Sequence, residues 1–276
     1  MFYDSSALAD YHIHPDFSFD AEGSLDDYCQ SALKKGLREI CFTTHYDTDP
    51  RLPDYHRQIR INGKKLPHSV DLFEKYVSAV LEIEEKYLHE GLHVKCGVEV
   101  GYYPGCEEEV KELINKYPLY YKLGAVHQID GVDICNEKSM AECAASIGLD
   151  EFADRVFEAL RQSAEGRLFD ALAHLDMYKK YGLKYYGEEI RGIHRGRIEP
   201  VFEIMAQSGA GIEINTSALR KGHDEYYPGM DIVNIARSMG VPVVAVGSDA
   251  HRPEELAYDF ETVSTIAYEL MPYYGE

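Results

Sequence analysis

The chain has 276 residues, 45% hydrophobic and 28% charged, enough to bury a large core as one barrel-sized domain or two smaller ones. Lys and Arg number 28 against 48 Asp and Glu, a formal net charge of −20, which excludes an extended nucleic-acid interface because phosphate backbones are bound through Lys and Arg. With no apolar run of spanning length and no basic-then-apolar leader, a cytoplasmic protein without membrane contact is expected.

The six cysteines, none in a CxxC pair, read as reduced structural thiols, and the acid runs Glu82-Glu84-Glu85 and Glu107-Glu108-Glu109 as solvated helix surface.

Leu8 to His12 reads as a short strand. Ser24 caps a helix that stops at Gly36, an N-cap and C′-glycine pair. Glu39-Ile40-Cys41-Phe42-Thr43 is the next strand, and the polar stretch from Tyr46 to His68 is expected to be irregular. Ser69 caps a long amphipathic helix with Leu72, Tyr76, Val80, Ile83 and Tyr87 on one face, ending before Gly91. His93 to Val100 is strand three. There follow a helix at about 106–116 stopped by Pro118, a strand at about 121–127, an insertion, and a helix at about 150–165. The alternation closes with strands at about 169–174, 211–216 and 241–248 and helices at about 195–208 and 229–239. Repeated β-α units with apolar strands predict an α/β fold of parallel strands, closed as a single TIM-like barrel over residues 1–276.

In an extended chain positions i and i+2 share a face, so His12 with His14, and Asp249 with His251, can each address one point from a strand end. His45, Glu99, His127 and His174 also fall at C-terminal strand ends, the rim where such barrels build their sites. One of these alone would read as a hydrogen-bonded rim histidine; their conjunction points to metal. Imidazole with carboxylate suits Zn, Fe or Mn, and ligands in excess of the four or so of one ion imply two or three ions. That chemistry suits phosphoester hydrolysis. Arg220, in the loop after strand six, is the first choice to clamp a phosphate with its planar fork; Lys180 and Lys221 read by themselves as solvated surface lysines and become second choices only through a family resemblance. His223 and Tyr227 in the same loop could meet the leaving group.

The ordered motifs Asp10-Tyr11-His12-Ile13-His14, Thr44-His45, Gly97-Val98-Glu99, Gly124-Ala125-Val126-His127, Ala173-His174-Leu175-Asp176 and Gly247-Ser248-Asp249-Ala250-His251 resemble those of the PHP (polymerase and histidinol phosphatase) superfamily. Within it, the chain is most similar to stand-alone histidinol-phosphate phosphatases, through His14-Pro15-Asp16-Phe17-Ser18-Phe19-Asp20, Lys179-Lys180-Tyr181-Gly182 after His174-Leu175-Asp176, and the run from Glu213 to Lys221. The resemblance implies a distorted seven-stranded (β/α) barrel with three metal ions. His12 and His14 would hold one ion with Glu99 and Asp249; Glu99 would bridge to a second held by His127 and His174; Asp20, His45 and His251 would hold the third. Thr44 departs from the family, which often has an acid immediately before that histidine.

The activity expected is that of a metal-dependent phosphoric monoester hydrolase acting on L-histidinol phosphate, with Arg220 and Asp249 catalytic and Arg220, Lys180, Lys221 and His223 binding the substrate. The alternatives are a PHP-type phosphoesterase for nucleotides or oligonucleotide ends, and a non-catalytic metal-binding regulatory module. The complete ligand set weighs against the module.

Overall fold

A computed structural model describes residues 9–270. Seven strands form the barrel: β1 (Asp10–Ile13), β2 (Glu39–Phe42), β3 (His93–Gly101), β4 (Tyr121–Ala125), β5 (Ala171–Leu172), β6 (Gly211–Asn215) and β7 (Val243–Gly247). Each pairs in parallel with its neighbours in the chain, and β7 returns to β1, so the sheet closes. Beyond β2 the chain rejoins β3 at His45–Tyr46 without a register change, Phe42 standing opposite Cys96 and His45 opposite Glu99.

Barrel diameter grows with strand number. A seven-stranded interior is narrow, and it is filled by small side chains, Ala125, Ala171, Ala173 and Ala245, with Cys41, Leu123, Tyr11 and Tyr121. The larger apolar shell lies between strands and helices.

Helix α1 (Leu25–Lys34) starts in a capping box of Ser24 and Asp27 and ends before Gly36 at φ +78°. Helix α2 (Val70–Leu88) is capped by Ser69 and buries Phe73, Tyr76, Val77 and Val80; the expected Leu72 and Ile83 lie at the edge of that stripe, partly buried. Tyr76 donates from its buried hydroxyl to Phe42 O (2.7 Å) or Gly97 O (3.0 Å), tying α2 to β2 and β3. Removing that hydroxyl would cost about 1–3 kcal/mol. Helices α3 (Glu107–Lys116), α5 (Leu149–Glu165), α7 (Ile198–Ser208) and α9 (Met230–Ser238) stand where periodicity places them, and α10 (Phe260–Leu270) follows β7.

The differences lie in the connections. Tyr46 to His68 contains a β-hairpin, Gln58–Ile61 against Lys64–Pro67, turning at Asn62-Gly63 with both φ positive. An Asn-Gly pair between alternating apolar residues is the turn that matches strand twist. The insertion after β4 holds a second short hairpin and α4 (Glu137–Ser146), capped by the Asn136 side chain. Helix α6 (Lys179–Tyr186) follows β5, and α8 (Ser217–Arg220) follows β6. Leu8, expected to open the first strand, lies outside the described residues. No helix among the described residues is long and apolar enough to cross a membrane.

Candidate metal centre

All nine expected ligands meet above the C-terminal rim. Glu99 is the hub: His12 Nε2 (3.3 Å), His14 Nε2 (3.5 Å), His45 Nδ1 (2.9 Å), His127 Nε2 (3.3 Å) and His174 Nε2 (2.8 Å) surround its carboxylate. The parallel register that sets His45 opposite Glu99 accounts for the shortest contact but one. Asp249 Oδ1 lies 3.5 Å from His14 Nε2 and 3.4 Å from His251 Nδ1. Asp20 reaches His45 Nε2 at 3.7 Å and His251 Nε2 at 3.4 Å.

Two of these residues sit in left-handed backbone, His174 at φ +26° and Asp249 at φ +51°, a region that non-glycine side chains rarely adopt. Such strain costs of order 1–3 kcal/mol per residue and clusters at sites. At His174 the backbone N–H donates to Glu213 Oε1 (3.0 Å), which holds the turn and cuts β5 to two residues.

Several rings are fixed through one nitrogen, leaving the other to face the centre. His12 Nδ1 lies 3.0 Å from both oxygens of buried Glu213. His14 Nδ1 is 3.3 Å from Ser18 Oγ, itself 2.7 Å from Thr44 Oγ1. Thus Thr44 serves orientation through a hydroxyl pair rather than a carboxylate. His127 Nδ1 faces Asp47 at 3.6 Å, and His251 Nδ1 is 3.1 Å from Asp249 O. Gly101 is required here because a Cβ would overlap the Asp47 carboxylate; one at Gly247 would overlap His12 Cβ.

Among the described residues, the buried Nε2 atoms of His12 and His14, Nδ1 of His45 and Oε2 of Glu99 face one another without making a well-aligned hydrogen bond. Leaving such groups unpaired costs about 1–3 kcal/mol each. Lone pairs of imidazole and carboxylate converging at this depth fit divalent cations of the Zn, Fe or Mn kind.

The electrostatics agree. Burial opposes charge on His12, yet Glu213 and Glu99 outweigh it and raise its basicity well above the usual histidine range. His45, buried beside Asp20 and Glu99, is likewise pushed up to about 9. His14 goes the other way, through burial and the neighbouring His45 and His251. Burial works against ionised Glu99, but His12, His127 and His45 hold it well below the usual carboxylate range. Asp249 is held low against burial by Lys221 and His14.

A cleft of about 320 Å³ opens over the cluster. Arg220, Lys221 and Lys180 line it. Arg220 is not a free clamp, since Nη1 donates to Ser248 O (2.7 Å) and Nη2 to Asp249 O (2.8 Å), pinning the turn that carries Asp249. Lys221 Nζ lies 3.4 Å from Asp249 Oδ2, and Lys180 Nζ donates to Cys135 O (3.2 Å). His223 does not line the cleft. Its N–H bonds Ala218 O (3.0 Å), closing the turn after α8, and its ring lies 5.7 Å from that of buried Tyr227, also outside the lining.

Polar residues at the site that the sequence reading does not anticipate include Asp47, Glu213, His56, Asp133 and Glu255. Asp47 was within reach of the spacing argument, being two residues from His45. Glu213, an acid inside an apolar strand, alternates inward with Asn215, whose Nδ2 donates to Glu213 Oε1 (3.0 Å).

Residues 10–217 match the PHP domain. A probable histidinol-phosphatase of Deinococcus radiodurans is 29% identical over 255 residues, covering 92% of this chain and 90% of that protein. The histidinol-phosphatase of Bacillus subtilis is 25% identical over 272 residues, 91% and 96% of the two chains. The crystal structure of a histidinol phosphate phosphatase from Lactococcus lactis, complexed with Zn, L-histidinol and phosphate, superimposes with a TM-score of 0.77 at 18% identity, covering 95% of this chain and 93% of that one. That likeness shows the shared barrel.

Proposed function

The chain belongs to the PHP domain family, and on that premise we propose that it is a metal-dependent phosphomonoesterase converting L-histidinol phosphate to L-histidinol and phosphate, a step of histidine biosynthesis. The observation that carries this reading is the convergence of buried imidazole nitrogens and carboxylate oxygens around Glu99, beneath a cleft that three cationic side chains line.

Two to three divalent ions, Zn, Fe or Mn, would be held by His12, His14, Glu99 and Asp249, by Glu99, His127 and His174, and by Asp20, His45 and His251. When bound, such ions make a nucleophile of water near neutral pH and neutralise phosphoryl charge.

The chain's own groups do the positioning. Glu213 and Ser18 fix the rings of His12 and His14. Arg220, immobilised by two carbonyls and with Glu255 3.5 Å from Nη2, has N–H donors beyond those two bonds to offer a phosphoryl oxygen, and its rigidity means little entropy is lost on binding. Lys221 and Lys180 add charge beside it. Asp249 accepts from Ser217 Oγ (3.0 Å) on Oδ2 and turns Oδ1 to the histidines, so it fixes the reacting face alongside Arg220.

The whole chain, 1–276, is taken as one PHP-type barrel. Its ligand is a small phosphate ester rather than an extended nucleic acid, and six free thiols accord with a cytoplasmic enzyme.

Phosphate release with Mn, Zn or Fe, measured across histidinol phosphate, nucleoside monophosphates and sugar phosphates, tests the reading. Histidinol phosphate should give the highest kcat/KM. A nucleotide or oligonucleotide end in first place would replace the substrate.

A further inference from the structure

One carboxylate of the cleft is unused by the cluster. Asp20, Asp47, Glu99 and Asp249 all face ligand histidines, and Glu255 accepts from His251 N (2.9 Å) and lies 3.5 Å from Arg220 Nη2. Asp133 has a single ion-pair partner among the described residues, His56, whose Nε2 is 3.1 Å from Asp133 Oδ2. Both side chains line the cleft, and Asp133 is only 7% exposed.

Its position is built by the backbone. Asp133 ends the short hairpin Gln128–Ile129 with Val132–Asp133, which turns at Asp130-Gly131, φ +50° and +81°. Ile134 N–H donates to His127 O (3.0 Å), which anchors the hairpin directly beside a cluster residue. Oδ1 is occupied, accepting from Cys135 N (2.8 Å), so Oδ2 is the oxygen left for His56 and for a ligand. Phe19 spans from this corner to the cluster, its ring 5.0 Å from His56 and 5.6 Å from His45.

A nearly buried carboxylate is costly unless cations or donors face it, and among the described residues Asp133 Oδ2 has the His56 imidazole alone as an ion-pair partner. Neither Lys nor Arg is ion-paired with it here among the described residues. We propose that Asp133, with His56 beside it, is the subsite for the substrate's ammonium group. The enzyme then reads an aminoalkyl phosphate by both ends, the ester at the cluster and Arg220, the amine at Asp133, with Phe19 against the carbon skeleton between them. This rests on the phosphatase reading above and names how the substrate is told from other phosphate esters. A site that hydrogen-bonds a charged group discriminates far better than an apolar pocket does.

The test compares histidinol phosphate with its deaminated analogue, 3-(imidazol-4-yl)propyl phosphate, on wild type, Asp133→Asn and Asp133→Glu. Asn can still accept from Cys135 N, so the turn is retained. In wild type the kcat/KM ratio of aminated to deaminated substrate should be well above one. Asp133→Asn should reduce that ratio roughly 10- to 100-fold, the range for a charge-assisted hydrogen bond, with metal content per chain unchanged by elemental analysis. Asp133→Glu, which keeps the charge, should restore part of it.

An unaltered ratio in Asp133→Asn overturns the proposal, as does loss of metal from that variant, which would make Asp133 a support of the cluster. If wild type instead fails to prefer histidinol phosphate over nucleotide and sugar phosphates, the substrate reading fails first.

Discussion

Arg220 carries two duties that pull against each other. It was expected as a free fork for phosphate, yet two of its N–H groups already hold Ser248 O and Asp249 O. Arg220→Ala should therefore lower kcat/KM by roughly 10- to 100-fold, with Arg220→Lys recovering only part because one ammonium cannot bond two carbonyls and an anion in the same plane. Metal content separates the duties. Glu99→Gln, which alters the group that five imidazoles surround, should lose much more metal than Arg220→Ala by elemental analysis. Equal losses would show that Arg220 works chiefly through the Asp249 turn.

At the scale of elements, the hairpin Gln58–Pro67 is a strap across the loop that carries Phe19 and Asp20. Ser18 bridges to Ile59, Arg60 N donates to Phe17 O (2.8 Å), and its guanidinium reaches Phe19 O (2.7 Å) and Ala21 O (2.8 Å). Loop carbonyls tied to the Arg60 guanidinium help to hold Asp20 towards His45 and His251. Arg60→Ala should lower the number of ions bound per chain and raise KM several-fold while circular dichroism stays that of wild type. Full metal occupancy with an unchanged KM would show that the loop holds itself.

The hairpin also marks the limit of what the sequence discloses. Strands and long helices were legible because apolar periodicity and caps such as Ser24 and Ser69 are local. Asn62-Gly63 is a local turn signal of the same kind, masked by the polar composition around it. His12, His14 and Asp249 could be named as candidate ligands because strand ends share a rim. Asp133 and His56 could not, since 77 residues of sequence separation are spanned only by two hairpins folding towards one cleft. His223, a loop neighbour of Arg220, is not among the side chains that line the cleft, and its backbone N–H closes the α8 turn on Ala218 O.

For the molecule as a whole, a net charge of −20 gives no attraction for a polyanion, while a compact phosphate ester needs only the local field of bound ions and the cations around them. Everything then depends on the nine-ligand cluster acting as a catalytic metal centre. The most direct measurement is phosphate release from L-histidinol phosphate by chelator-stripped protein, before and after adding Mn, Zn or Fe, beside His174→Ala. Stripped wild type should be inactive, recover turnover with at least one metal, and vary little between low and moderate salt, while His174→Ala should stay far below it under every condition. Turnover that survives stripping, or equals wild type in His174→Ala, would contradict the assignment.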